Sequence, residues 1–172
     1  MQNKNNVNMN DYIIILPRWD ELPDISLYLE QVLELVNGNL GKYLEGDKNG
    51  RILTQTMVNN YVKHGFIQSP VKKRYDKTAL ASLIVIAVLK DIFTIKEISQ
   101  MISLAIDANN PEESYNYFCQ LVEEATENVL MQGKQNILCN EKDPRGICSS
   151  AVMAFASKYY VNKVFLLKNE AK

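Results

Sequence analysis

One segment, residues 77–91, limits the fold more than any other part of the sequence. Asp76 before it is a good helix N-cap, and the run ALASLIVIAVLK is apolar on nearly every side of a helix. Such a helix is stable only if other elements cover it on all sides. We therefore predict that it is the buried centre of a helical domain, around which most of this 47% hydrophobic chain folds.

Apolar residues at helical spacing predict further helices on both sides of this centre. Gly38 and Gly65 are suitable helix stops, and Thr94 with Glu97 has the form of a capping box. An Asn-Pro step opens the helix that starts at residue 111. The predicted helices are residues 24–37, 54–64, 77–91, one opening at Thr94, 111–133 and about 150–167.

The segments between these helices are rich in turn formers. Residues 37–51 contain four glycines and are predicted to be a loop. Residues 66–75, with Pro70 in the middle, predict a β-turn or tight hairpin, and residues 133–148 predict a polar link. Apolar residues 12–17 are either a short strand or an extended arm. The pattern is that of an all-α protein with a small β-wing.

Charge is distributed unevenly along a chain whose formal net charge is only −1. Residues 51–77 hold six basic residues and one acid, a local balance of +5, whereas residues 11–48 hold eight acids and three bases. A basic segment of this kind is the pattern expected for contacts with nucleic-acid phosphates. The six basic residues are Arg51, Lys63, Lys72, Lys73, Arg74 and Lys77.

The helix at 54–64 combines two different faces. Its apolar residues, such as Val58 and Tyr61, are predicted to pack in the core. Its polar side chains are mostly neutral hydrogen-bonding groups that can reach base edges or phosphates in a major groove. Together with the predicted basic wing that follows, residues 68–75, it supplies the predicted DNA-contact set: Thr54, Gln55, Thr56, Asn59, Asn60, Lys63, His64, Lys72, Lys73 and Arg74.

The order of these features resembles the MerR DNA-binding domain over about 50 residues. That pattern has a recognition helix, a Pro-containing wing, an Arg-Tyr step, a long apolar helix and a capped helix after it. The matching positions are Tyr61, Gly65, Phe66, Ile67, Pro70, Arg74, Tyr75, Leu80, Leu83, Phe93, Ile95, Glu97 and Ile98. The resemblance implies a winged helix-turn-helix with additional C-terminal helices, and its motif core is residues 53–102.

Three runs, LYLEQVLELV, LTQTMVNNYVKHGFI and PVKKRY, are similar to an uncharacterised bacterial family known as domain of unknown function 1836, which has been suspected of transcriptional regulation. The chain departs from MerR proteins at Asn59 and Asn60, where those proteins usually have Arg-Tyr. Its wing is shorter, and the 37–51 loop separates the two motif helices. The cysteines Cys119, Cys139 and Cys148 do not match the metal-sensing branch.

The resemblance and the patterns together predict three parts: a disordered tail (1–11), a winged helix-turn-helix DNA-binding domain (12–108) and a C-terminal helical extension (109–172). The extension packs onto the same core, mediates dimerisation or holds an effector. We therefore expect a cytoplasmic, dimeric DNA-binding transcription regulator. Its expected partners are double-stranded DNA, a second copy of the chain and a small-molecule effector. The alternative is a helical protein-interaction module that does not bind DNA.

Other functional classes have little support in the sequence. Among the motifs of catalysis, HExxH, GxSxG and GKS/T are missing and there is one histidine, so we expect neither an enzyme nor a metal or cofactor site. The odd number of cysteines favours a reduced compartment, where they act as small apolar residues. Lysines 158 and 163 interrupt the apolar C-terminal stretch and argue against a membrane span. His64 either stabilises its helix C-terminus or contacts phosphate. The Lys72-Lys73-Arg74 cluster either contacts phosphates or is only a solvated turn.

Overall fold

The structure is a computed structural model that describes residues 9–131 and 144–170. Within those ranges the protein is mostly helical, with one two-stranded antiparallel sheet. The elements are β1 (Leu27–Tyr28), α1 (Leu29–Leu40), α2 (Gln55–Lys63), β2 (Arg74–Tyr75), α3 (Lys77–Leu89), α4 (Ile95–Ala108), α5 (Pro111–Met131) and α6 (Pro144–Glu170), with 3-10 helices at Met9–Tyr12 and Trp19–Glu21. The predicted helical fold with a small β-element is confirmed.

Helix α3 occupies the centre of the molecule, as its sequence predicts. Nine of its thirteen residues are buried, and α1, α4, α5 and α6 all contact it. The carboxylate of Asp76 caps the helix by accepting a hydrogen bond from the Ala79 N–H at 2.8 Å. Because α3 contacts four other helices, those helices are held in relation to one another.

The segment at residues 12–22 is an arm that straps α5 and α6 to this core. Ile14 is buried, and its N–H donates to Thr126 Oγ1 on α5 at 3.2 Å. Tyr159 Oη on α6 donates to the Tyr12 carbonyl at 2.9 Å. The buried residues of α5 and α6 belong to the same hydrophobic cluster as those of α3. Much of the apolar face predicted on the last helix is thus used in packing onto the core.

Helix α1 differs from its prediction at both ends. Residues 27–28 form a strand, and Asp24, the predicted cap, instead pairs with Lys77 at 2.7 Å. Gly38 does not end the helix, because Val36 and Leu40 are fully buried one turn apart on the same face. Burying a leucine is worth about 2 kcal/mol, more than the roughly 1 kcal/mol that a helical glycine costs.

Helix α6 begins earlier than predicted, at Pro144 rather than near residue 150. Proline is well suited to the first position of a helix, because its missing N–H has no partner there in any case. The remainder of the predicted link, residues 133–143, lies outside the described residues. Of the predicted disordered tail, residues 1–8 also lie outside them, and 9–11 belong to the first 3-10 helix. No described helix has the length and hydropathy needed to cross a bilayer.

Candidate functional site

Helix α2 has well-defined ends. Thr54 Oγ1 accepts a hydrogen bond from the Met57 N–H at 3.3 Å and caps the first turn. At the other end the Phe66 N–H donates to the Tyr61 carbonyl at 2.8 Å, and the Gly65 N–H donates to the Val62 carbonyl at 3.0 Å. Gly65 has a φ of +71°. This is a Schellman motif, and it explains why the helix stops at this glycine.

Asn37 joins the end of α1 to the start of α2. Its Oδ1 accepts from the Ile52 and Leu53 N–H groups at 2.8 and 2.9 Å, and its Nδ2 donates to the Leu53 carbonyl at 3.0 Å. Ile52 and Leu53 are themselves buried. The long segment between the two helices therefore does not leave α2 free, since its last residues are clamped to α1.

The turn inside that segment is built around Asp47. Its carboxylate accepts hydrogen bonds from the Asn49 and Arg51 N–H groups and forms an ion pair with the Arg51 guanidinium at 3.0 Å. These contacts, above all the Arg51 N–H, lower the pKa of Asp47 to about 2. Arg51, one of the six basic residues of the charged segment, is therefore engaged in holding its own loop.

The two faces of α2 are separated as its sequence predicts. Val58 and Tyr61 are buried in the core. The polar residues are exposed except Thr54, which is half-buried; the exposed ones are Gln55, Thr56, Asn59, Asn60, Lys63 and His64. Within the described part of the chain, the side chains of Asn59 and Asn60 make no hydrogen bond to the protein. The outward face of α2 is therefore a row of free donors and acceptors without an acid.

A tight hairpin follows α2 and has its tip at Lys72 and Lys73. Val71 and Arg74 exchange both backbone hydrogen bonds, at 3.0 and 2.9 Å. Lys72 has a φ of +50° and Lys73 a φ of +65°, which makes this a two-residue type I′ turn. Such turns normally use Asn-Gly, because glycine has no β-carbon and asparagine tolerates positive φ better than lysine does. Both lysines are exposed, so no packing compensates for the strain.

Arg74 is held at the base of the hairpin by Tyr28. In the sheet, Tyr28 of β1 lies opposite Arg74 of β2. Arg74 Nη2 donates to Tyr28 Oη at 3.1 Å, and the guanidinium carbon lies 4.7 Å from the centre of the Tyr28 ring. Stacking on the ring restricts the guanidinium while leaving it solvent-exposed. Tyr28 is a residue that the sequence did not single out, because only the strand pairing brings it to the site.

Ion pairing divides the six basic residues into two groups. Arg51 pairs with Asp47, and Lys77 pairs with Asp24 at 2.7 Å while its Nζ lies 5.3 Å from the centre of the Trp19 ring. Among the described residues, no acid pairs with the other four, which are Lys63, Lys72, Lys73 and Arg74. These four are the basic members of the predicted DNA-contact set.

His64 stabilises the end of α2. Its Nδ1 lies 2.8 Å from the Asn60 carbonyl, and because a carbonyl only accepts, Nδ1 carries the proton. The ring stacks on Phe66 with centroids 5.9 Å apart. This contact accounts for one of the two roles weighed for His64, and in this tautomer Nε2 carries no proton that a neutral ring could donate to a phosphate.

The cysteines that the structure describes are embedded in the core or its edge. Cys119 is buried, and burial raises its pKa to about 12. Cys148 is half-buried, and burial raises its pKa to about 11. Cys139 lies outside the described residues. Cys119 and Cys148 are thus in the environment of small apolar residues rather than of nucleophiles.

Comparison with protein families gives one match. The family "Domain of unknown function (DUF1836)" matches residues 17–118, which include the second half of the arm, the sheet, α1 to α4 and the first turns of α5. No curated protein and no solved structure was found to match the chain. The match covers more than half of the chain and confirms the narrower of the two resemblances seen in the sequence. The chain belongs to the DUF1836 family.

Proposed function

We propose that this protein is a DNA-binding transcription regulator with a winged helix-turn-helix of the MerR kind. Helix α2 enters the major groove, and the Val71–Arg74 hairpin is the wing that lies along the phosphate backbone. The observation that carries the proposal is the pairing of an acid-free polar face on α2 with a hairpin tip of two unpaired lysines.

The outward face of α2 has the chemistry of base recognition. A major groove admits one α-helix, and asparagine or glutamine can make two hydrogen bonds to adenine N6 and N7. Asn59, Asn60 and Gln55 are exposed and have no partner among the described residues, so contact with a base replaces water rather than an internal bond. Thr56 positions the helix, and Lys63 neutralises a phosphate.

The strain at the hairpin tip supports a binding role. A left-handed residue with a β-carbon costs about 1–2 kcal/mol, and two adjacent ones are unusual in a turn that Asn-Gly would form without strain. Backbone strain of this kind is concentrated at functional sites. In this turn the strained residues are two successive exposed lysines, whose charges suit contacts with phosphates.

The chain length between the two elements is compatible with a single duplex. Lys72 follows His64 by eight positions, so their Cα atoms are at most about 29 Å apart. One turn of B-DNA is about 34 Å long. A nine-residue helix reads only a few base pairs, and we therefore propose that the protein acts as a homodimer on paired half-sites.

The test is selection of genomic DNA fragments followed by titration of binding with salt. We expect the affinity of a recovered fragment to fall steeply with salt, and each lost phosphate contact to reduce the slope of log K against log salt by about 0.9. Lys72→Ala and Lys73→Ala should each show this change. If no fragment is recovered by the dimeric protein at low salt, the proposal is wrong.

Lys42→Ala is the charge-matched control for these variants. Lys42 follows α1, whose twelve residues carry the chain about 18 Å away from β1 and the hairpin. Its neighbour Tyr43 lines a cleft with Lys158 of α6, and no residue of the hairpin lines that cleft. The control should bind DNA as the unaltered protein does, and an equal loss would mean that only total charge matters.

A second candidate function is a protein-interaction module on the same scaffold. It is favoured by the exposed acids Glu30 and Glu34 on α1, the helix that begins directly after β1. Asn59→Ala separates the two functions. A DNA reader should lose about 1–3 kcal/mol of discrimination between fragments and keep its nonspecific binding, whereas an interaction module shows no DNA phenotype.

A further inference from the structure

A cavity of about 70 Å³ lies where α3, α4, α5 and α6 meet, beside Trp19. No charged side chain lines it among the described residues, and most of its wall is apolar. Leu104 on α4 and Ile147 on α6 line it and are 49% and 47% exposed, so they form its edge. An apolar molecule would reach the interior without passing a charge.

Three of the polar side chains in the wall already have partners inside the protein. Ser82 Oγ donates to the Thr78 carbonyl at 2.9 Å, and Ser114 Oγ donates to the Ala105 carbonyl at 2.8 Å. Tyr115 Oη donates outside the cavity, to the Pro17 carbonyl at 2.9 Å. The wall therefore offers little to a charged or strongly polar ligand, whose lost hydration would not be replaced.

We propose that this cavity is a binding site for a small, uncharged, mostly apolar molecule. One water-sized atom needs about 10–15 Å³ of such space, so the enclosed part holds a ring or chain of about five to seven non-hydrogen atoms. Binding comes from removing apolar surface from water, with dissociation constants on the order of millimolar for a molecule of this size.

Trp19 links this site to the hairpin. Its ring lines the cavity and lies in a T-shaped contact with Tyr115, 6.2 Å between centroids. The ring also contacts the ammonium group of Lys77, whose Nζ lies 5.3 Å from the ring centre. Lys77 is the first residue of α3 and follows Tyr75 of β2 by two positions. An occupant that shifts Trp19 therefore acts on the base of the hairpin. This regulatory role, unlike binding itself, rests on the proposed function.

The chain's single tryptophan makes occupancy measurable by intrinsic fluorescence, in a titration without DNA. The probes are cyclohexanol and cyclohexylammonium, which have the same shape but differ in charge. We expect cyclohexanol to give a saturable change in Trp19 emission and cyclohexylammonium to bind at least about tenfold more weakly. No saturable change with cyclohexanol, or equal binding of both probes, overturns the site.

A pair of variants on α4 locates the binding. Ala105 lines the cavity, whereas Ala108 is exposed and lies outside it. Ala105→Leu should abolish the cyclohexanol response and Ala108→Leu should keep it, with circular dichroism confirming that both fold. If Ala105→Leu responds as the unaltered protein does, the site is elsewhere. The comparison of the two probes uses the unaltered protein, so it remains valid even if one of the variants fails to fold.

The regulatory role is tested separately. Affinity for a recovered DNA fragment is measured with and without saturating cyclohexanol, using Ala105→Leu as the control. A change of at least about fivefold that Ala105→Leu removes supports coupling between the cavity and the hairpin. If cyclohexanol binds saturably but the DNA affinity is unchanged, only the coupling is wrong. If the protein does not bind DNA at all, the proposed function is wrong and the fluorescence result still stands.

Discussion

At the tip of the hairpin, the backbone conformation of Lys73 costs stability, while its charge is proposed to bind DNA. Two substitutions at Lys73 can separate these two effects. Lys73 has a φ of +65° and is exposed. Lys73→Gly removes the side chain that makes this conformation costly, whereas Lys73→Ala removes the same charge but keeps a β-carbon. Relief of the left-handed strain is worth about 1–2 kcal/mol, and the greater freedom of glycine in the unfolded chain offsets about 0.5–1 kcal/mol.

We therefore expect Lys73→Gly to be more stable than Lys73→Ala by roughly 0.5–1 kcal/mol. In a protein of this size that difference raises the melting temperature by about 1–4 °C. Urea denaturation followed by circular dichroism measures the free energy of unfolding, and salt-dependent DNA binding is measured on the same samples. Both variants should lose the same phosphate contact, so their affinities for DNA should fall equally.

Two results would refute this reasoning. If Lys73→Gly is no more stable than Lys73→Ala, the turn does not hold Lys73 in a strained conformation. If the variants differ in DNA affinity, the backbone of the turn matters for binding and the ammonium group does not act alone. Lys42→Ala serves again as the control for the general effect of losing one positive charge.

Three further predictions concern the frame of the site. Asn37→Ala removes three hydrogen bonds to residues 52 and 53 and should cost about 2–3 kcal/mol, while Asn37→Asp keeps the two bonds that Oδ1 accepts and should cost less in urea denaturation. The folded-state pKa of Asp47 is lowered to about 2, so the stability that its carboxylate gives the loop is complete above pH 4 and is lost as the pH falls toward 2. The protection of the Arg51 amide against hydrogen exchange, taken relative to the intrinsic rate at each pH, should fall in that window, and Asp47→Asn should remove this pH dependence. With a pKa of about 11, Cys148 should react with iodoacetamide at pH 8 on the order of a hundredfold more slowly than in the unfolded chain, as peptide mapping will show; equal rates would mean that the thiol is not buried.

Much of the fold follows from local chemistry that the sequence displays. The apolar run of α3, its Asp76 cap and the Thr94–Glu97 capping box predict their elements correctly, because each signal lies within a few residues of the helix it starts. The turn at 66–75 is predicted for the same reason. By contrast, β1 is only two residues long and owes its existence to pairing with β2, so no local pattern indicates it.

The candidate site, too, can be predicted from the sequence only where its features depend on local patterns. Exposure of the polar face of α2 follows from its periodicity, and the structure has this face outside. The sequence does not show which basic side chains lack an ion pair, since Lys77 is paired with Asp24, more than fifty residues away in the sequence. Asn37 shows the limit most clearly: it is the first residue of the predicted 37–51 loop, yet it lies inside α1 and clamps the start of α2.

The arm at residues 12–22 also determines the order in which the molecule can be completed. Its backbone groups find their partners at Thr126 and Tyr159, so the ends of the described chain meet only after everything between them has been made. Contacts across such sequence separations are the slowest to form. During synthesis the hydrogen-bonding groups of the arm stay unpaired until helices made more than a hundred residues later are available. Cooperative folding of the described chain is therefore expected only after α6 has left the ribosome.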